Sequence, residues 1–404
     1  MHINRVLVRA GLFAGCLALA YPGFAFTQEA TDEEASALAS PVVATVYIQT
    51  LKGVNAYTAN AAGKLTSIKG SPFATAGQME GINGKYLLSV GNTNIRVYPI
   101  KSNGAIGKQV SMVNTQNYSG AQCGVTSDGG SPDGAILDHT GKYFYIQLYS
   151  GYSSFCADWQ TYRIQSDGQL TFLGDQETDF DDGFGYVRTT VPTISSNDKF
   201  GYSEYWGNYG AAMFVGMSIE KSGVLELNSS FTAETPLPED PQGVYFPEEM
   251  SAAPAGHLAV LLDVQEPYDD LGIMQLASYG INASGGISSS NTWQNMPTLS
   301  SVWSEFPGMT MSTSGKLLAV YGGAGVQLFH FNGASPITPY SAVLLSGGVD
   351  KVQWDNSNHM YALNFSAGKL HVFTATPGTI SEVAGSPYTV PSPYGIVGMI
   401  VVPK

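Results

Sequence analysis

Basic residues are scarce in this chain, and cysteine and histidine are scarcer still. Lys and Arg number 18 against 32 Asp and Glu, so 404 residues carry a formal net charge of −14. That argues against nucleic acid or anionic membrane as partners, because neutralising phosphate takes clustered Lys and Arg. Three cysteines are too few for a disulfide framework, and without histidines beside them they make a poor metal site. Neither a Gly-x-Ser-x-Gly elbow nor a glycine-rich phosphate loop occurs. Runs with helical apolar spacing are missing after the first two dozen residues, which leaves an all-β chain. What is present fits that class: 44% hydrophobic residues for a core, with 47 glycines and 23 tyrosines suited to short strands and tight turns.

The N-terminus reads as a secretory signal over residues 1–25. Arg5 and Arg9 precede an apolar stretch, Ala10 to Ala20, too short for a comfortable membrane span. Gly23 and Ala25 place small residues for cleavage before Phe26. Leu12-Phe13-Ala14-Gly15-Cys16 is a poor match to a lipoprotein box, so ordinary cleavage is expected, with an uncleaved anchor as the alternative. Residues 26–41 read as a flexible linker. Cleavage removes two arginines and no acid, leaving 16 basic against 32 acidic residues. The expected location is secreted or periplasmic, where Cys123 and Cys156 are free to form one disulfide.

Internal repetition decides the fold. A polar turn followed by an apolar strand recurs at Gly84-Lys85-Tyr86, Gly141-Lys142-Tyr143, Asp198-Lys199-Phe200, Gly256-His257-Leu258, Gly315-Lys316-Leu317 and Asn358-His359-Met360. The spacing is about 57–59 residues until a shorter last step, enough for four short strands with loops. A second element, an aromatic or large apolar residue leading to a turn glycine, recurs seven times. Examples are Tyr98 to Gly104, Tyr162 to Gly168, Met217 to Gly223 and Tyr279 to Gly285. The mismatch resolves if Val42–Thr50 is a second strand and Gly395–Val401 the missing innermost strand of one composite blade. Residues 42–404 then form a single seven-bladed β-propeller of four-stranded antiparallel blades, closed by both termini so that no sheet edge is left open. Gly70-Ser71-Pro72-Phe73 and Gly385-Ser386-Pro387-Tyr388 mark the first and last repeats as related.

The Gly-Lys-Tyr strands, Tyr-x-Ile turns and Gly-Ser-Pro-Phe tails resemble the lactonase-type seven-bladed propellers, the 6-phosphogluconolactonase-like and YVTN-repeat proteins. The resemblance implies that fold and, for the family, lactone hydrolysis by a channel-lining group of His, Glu and Arg. The chain departs from that group. His139, His257 and His359 map to turns on the far face, and His330 and His371 to third strands. Only Arg188 and the acids are left to stand in, so no catalytic residue is carried across.

Candidate site residues follow from the blade map. Gln78, Glu80, Asp133, Arg188, Glu248, Glu249, Asp350, Lys351 and Tyr394 are expected just ahead of the inner strands, ringing the channel mouth. They read either as a solvated rim or as carboxylates working as acid and base. The loops of the same face carry aromatics, among them Trp206 and Trp303, that suit a carbohydrate, small-molecule or protein ligand. Glu177–Gly183, and Asp263 with Glu266, Asp269 and Asp270, are acidic loops. They lack the order of a Ca2+ loop, so no cofactor is expected, with Ca2+ or another divalent cation as the alternative. Cys123 and Cys156 fall on adjacent loops of this face. A monomer is expected. The sequence favours a binding or scaffold module working through the aromatic, acidic face. The alternative is a lactonase-like hydrolase, in one version dependent on a divalent cation.

Overall fold

A computed structural model describes residues 40–115, 131–149, 157–178, 188–189, 192–206, 213–228, 244–265, 273–299, 308–391 and 395–404. Among them every regular element is a β-strand, and the strands form seven antiparallel sheets arranged as blades. The inner strands are Gln78–Ile82 in blade I, Ser131–Leu137 in blade II and Val244–Ala253 in blade IV. In blade III the inner strand has two pieces, Arg188–Thr189 and Thr193–Ile194. Blades V, VI and VII open with Gly308–Met311, Lys351–Trp354 and Ile396–Pro403. Blade VII is the composite one: its inner strand pairs with Val42–Thr50, from Ala44↔Pro403 to Thr50↔Ile396.

The repeated turn motif has a backbone cause. The residue before each Lys or His lies in the left-handed region: Gly84, Gly141, Asp198, Gly256, Gly315 and Asn358 have φ between 52° and 84°. Glycine adopts that conformation freely, and Asn or Asp at little cost. A polar side chain then caps most of these turns. Asn83 Oδ1 accepts from the Tyr86 N–H, Asp138 Oδ1 from Tyr143, Ser195 Oγ from Phe200, and Ser312 Oγ from Leu317.

Second strands are apolar on both faces because each blade is sandwiched between two others. Leu317–Gly322 is buried along its whole length, whereas outer strands such as Leu65–Ser67 bury one residue in three. The core accordingly falls into seven clusters, one per blade–blade interface. In one of them Leu261 and Leu276 of blade IV meet Leu318, Val320 and Phe329 of blade V. Burying these side chains supplies most of the stabilisation, at about 25 cal/mol per Å² of apolar surface.

Candidate functional site

The inner strands line the channel, and several of them are broken by a bulge. In blade I, Met79 and Gly81 pair with consecutive residues of the second strand, Ser89 and Leu88, which leaves Glu80 as the extra residue. Asp133 is extra in blade II, between Pro132↔Leu148 and Gly134↔Gln147. Glu248 is extra in blade IV, between Pro247↔Leu262 and Glu249↔Leu261, and Val397 in blade VII. A bulge bends its strand and re-aims the extra side chain. In three of the four cases that side chain is a carboxyl.

Side chains lace neighbouring inner strands together and fix this rim. Thr193 Oγ1 donates to the Met250 carbonyl at 3.0 Å, and the Met311 N–H donates to Ser251 Oγ at 2.9 Å. The Val401 N–H donates to Gln353 Oε1 at 2.5 Å. Gln49, on the second strand of blade VII, clamps the start of the blade I inner strand. It donates to the Gly77 carbonyl at 2.7 Å and accepts from the Met79 N–H at 2.5 Å, next to Glu80.

Within this frame the carboxyls are partly withdrawn from water. Burial pushes Glu80 up to about 7, with the Lys351 ammonium pulling it down. Glu249 stands at about 7 for the same two reasons. Glu248 reaches about 8 through burial, with the charges of Asp263 and Glu249 adding to it. Glu204, on the second strand of blade III and 4% exposed, lies well above the usual range. Burial is again the main cause, and Glu249 and Glu248 add to it. The charge of Lys351 therefore acts on acids from two inner strands, in blades I and IV, neither of which adjoins its own blade VI.

Tyr321 completes the group. A Cβ at Gly308 would lie 2.3 Å from its ring, so the tyrosine crosses the start of the blade V inner strand in space that only glycine leaves. Burial raises its phenol, against Lys351 and with Glu249, and the Val352 backbone hydrogen-bonds to it.

Several expected site residues fall elsewhere or stay unplaced. Gln78, Glu80, Asp133, Arg188, Glu248, Glu249 and Lys351 sit inside the inner strands rather than ahead of them. Asp350 does precede its strand, and its Oδ2 accepts from the Phe365 N–H at 2.6 Å, bracing a turn of its own blade. The strands of Asp133, Arg188 and Trp206 are described but their side chains are not, and Trp303, Tyr394, Cys123 and Cys156 lie outside the described residues. Trp293 of the aromatic face is exposed. His139 lies in a turn, His257 and His359 begin second strands, and His330 and His371 lie on third strands. Among the described residues no three His, Cys, Asp or Glu side chains form a group able to hold a metal ion.

Glu204 and Tyr321 escaped the sequence reading. The signal for Glu204 was a carboxylate two residues after Tyr202 on the same strand face. For the bulges it was an acid beside a glycine, Glu80-Gly81 and Asp133-Gly134, within an inner strand.

No protein-family model matches the chain, and no curated protein matches it in sequence. Solved structures do match. A proposed 6-phosphogluconolactonase from Bacteroides uniformis superposes with a TM-score of 0.62 at 13% identity, covering 90% of this chain and 100% of that one. The chain shares its propeller fold. The periplasmic gluconolactonase of Pseudomonas aeruginosa gives 0.60 at 12% identity, over 89% of this chain and 99% of that one. A protein from Lactobacillus plantarum gives 0.58 at 12%, over 90% and 100%. The lactonase-type resemblance of the blade motifs is thus matched over the whole propeller, and at these identities it is a likeness of fold.

Proposed function

We propose that the chain hydrolyses lactones of sugar acids at the channel mouth, with carboxyl groups in the place of a histidine. One observation carries the reading: Glu80 and Glu249, on inner strands of separate blades, both stand at about 7, and the charge of Lys351 acts on each of them. Near neutral pH each of them is part ionised and part protonated, so both the carboxylate and the carboxylic acid that hydrolysis needs are available. The carboxylate takes a proton from water as the water oxygen bonds to the lactone carbonyl carbon. The Lys351 ammonium stabilises the oxyanion that develops. As the carbonyl re-forms, the ring C–O bond breaks and the carboxylic acid protonates the leaving oxygen. The product is the open hydroxy acid. The fold shared with two proteins whose names include gluconolactonase activity supports the substrate class.

The test is acid release from glucono-δ-lactone by the purified propeller, measured above the spontaneous rate. Glu80→Gln and Glu249→Gln should each lower kcat by about 10²–10⁴-fold. No activity in the parent chain, or full activity in both variants, would sink the reading.

The signal-like N-terminus, and a periplasmic protein among the fold neighbours, support export as part of this proposal. A second reading, a binding or scaffold module working through the aromatic face, draws on the exposed Trp293.

A further inference from the structure

The four inner-strand bulges do not carry the same chemistry. Blades I, II and IV put an acidic residue at the extra position, whereas blade VII puts Val397 there. Its inner strand, Ile396–Pro403, holds no charged residue at all. Val397 is 37% exposed, at a position that re-aims a side chain. The turn after Val42–Thr50 adds Leu51, 81% exposed. The Leu51 N–H donates to the Gly395 carbonyl at 2.9 Å, and a Cβ on Gly395 would come within 2.5 Å of Leu51 Cγ. Two exposed aliphatic side chains are thereby fixed at the start of one inner strand.

That strand lies between the two that carry Glu80 and Lys351, since blade VII packs against blades I and VI. Cross-links set the heights along the channel. Gln49 pairs with Gly398 and clamps Gly77 and Met79, which places Val397 just outside Glu80. The Val401 N–H donates to Gln353, so counting back two residues on each strand puts Lys351 level with Met399, and Val397 again nearer the mouth. We infer that Val397 and Leu51 form an apolar lip that takes the outward substituent of a bound lactone, so that the site favours lactones bearing a hydrocarbon group over those bearing only hydroxyls. The inference rests on the proposed hydrolysis and narrows its substrate class. With its carbonyl held by the carboxyls and Lys351 as proposed, a lactone carries its outward substituent past Val397. An alkyl group there leaves water together with the two aliphatic side chains. A hydroxyl in the same place exchanges water for hydrocarbon.

The experiment measures kcat and KM for δ-valerolactone, δ-hexalactone and δ-decalactone, which bear no substituent, a methyl and a pentyl group, with glucono-δ-lactone as the hydroxylated member. KM should fall by about two- to fourfold per added methylene until the lip is covered. For δ-decalactone it should lie about tenfold or more below that for glucono-δ-lactone. Val397→Ser and Leu51→Ser should each flatten the dependence on chain length, and Val397→Ile should keep it. A KM that ignores chain length, or a dependence unchanged in both serine variants, overturns the inference and leaves the hydrolytic reading standing. If no lactone is opened, the hydrolytic reading fails, and calorimetric binding of intact δ-decalactone and δ-valerolactone decides the lip. Tighter binding of δ-decalactone that weakens in Val397→Ser sustains it; equal binding of the two, or binding of neither, ends it.

Discussion

A carboxyl group that burial holds near neutrality costs the fold stability once it ionises. Glu80 and Glu249 at about 7 and Glu248 at about 8 all titrate above their ordinary value of 4.5. The folded chain therefore binds protons between pH 4.5 and 8 that the unfolded chain has released. Stability from these groups is fully present below pH 4.5 and is lost as the pH rises through 7 to 8. Asp355 works in the opposite sense. Burial alone would raise it, yet hydrogen bonds from His359 and Tyr361 outweigh that and hold it below its ordinary value. Its contribution is present at neutral pH and is lost in acid. Glu249→Gln should remove one of the alkaline losses, about 2–3 kcal/mol at pH 8. Denaturant unfolding at pH 5 and pH 8 checks this: the variant should gain on the parent at pH 8 and match it at pH 5. A parent whose stability rises steadily from pH 5 to 8 would contradict it.

Between neighbouring blades, a tyrosine on one second strand reaches the far turn of the next blade. Tyr47, Tyr145 and Tyr202 donate to the carbonyls of Gly104, Gly223 and Gly285 at 2.9, 3.0 and 2.6 Å. These turn glycines have φ of 85°, 97° and 93°, which a β-carbon would strain. Tyr145→Phe leaves the ring in place and removes one buried hydrogen bond, at a cost of about 1–2 kcal/mol. Thermal unfolding should show the loss, and an unchanged midpoint in both Tyr145→Phe and Tyr202→Phe would show that the contact is incidental. The same repetition made the blades readable in the sequence: a left-handed turn admits few residue types, so Gly-Lys and its variants recur wherever the backbone demands them. Outer strands were harder to read, because side chains take over part of their work. The Ala56 N–H donates to Ser71 Oγ, Ser278 to Asn291 Oδ1, Leu328 to Ser341 Oγ and Val372 to Ser386 Oγ. A strand replaced by single side chains leaves no alternation to detect. The blade map brought Glu80, Asp133, Glu248 and Glu249 close to the inner strands, one step ahead of where the strands hold them, and it missed Glu204 on a second strand. That the charge of Lys351 reaches both Glu80 and Glu249 depends on how non-adjacent blades are arranged around the channel, and no local pattern encodes that.

Closure of the ring gives the whole molecule its rigidity, and it depends on a single strand. Ile396–Pro403 buries Ile396, Met399 and Val401 and completes blade VII against Val42–Thr50. The Lys404 N–H donates to the Val43 carbonyl at 2.8 Å, so the two ends of the propeller lie side by side. Without this strand, Val42–Thr50 becomes an open edge whose buried residues Ala44, Val46 and Ile48 lose one wall of their cluster. The contacts that hold Glu80 loosen with it, since Gln49, which clamps Gly77 and Met79, lies on the newly exposed strand. Deleting residues 396–404 should therefore turn one cooperative unfolding transition into a broad one and promote association through the open edge. On the proposed reading, lactone hydrolysis should be lost with it. A synthetic peptide of residues 396–404 added in trans should restore the sharp transition by re-forming the pairing. Sedimentation and calorimetry of the truncated chain, with and without peptide, decide the matter. A truncated chain that stays monomeric and melts as sharply as the parent would mean that the seven interfaces, and not the closing strand, hold the ring.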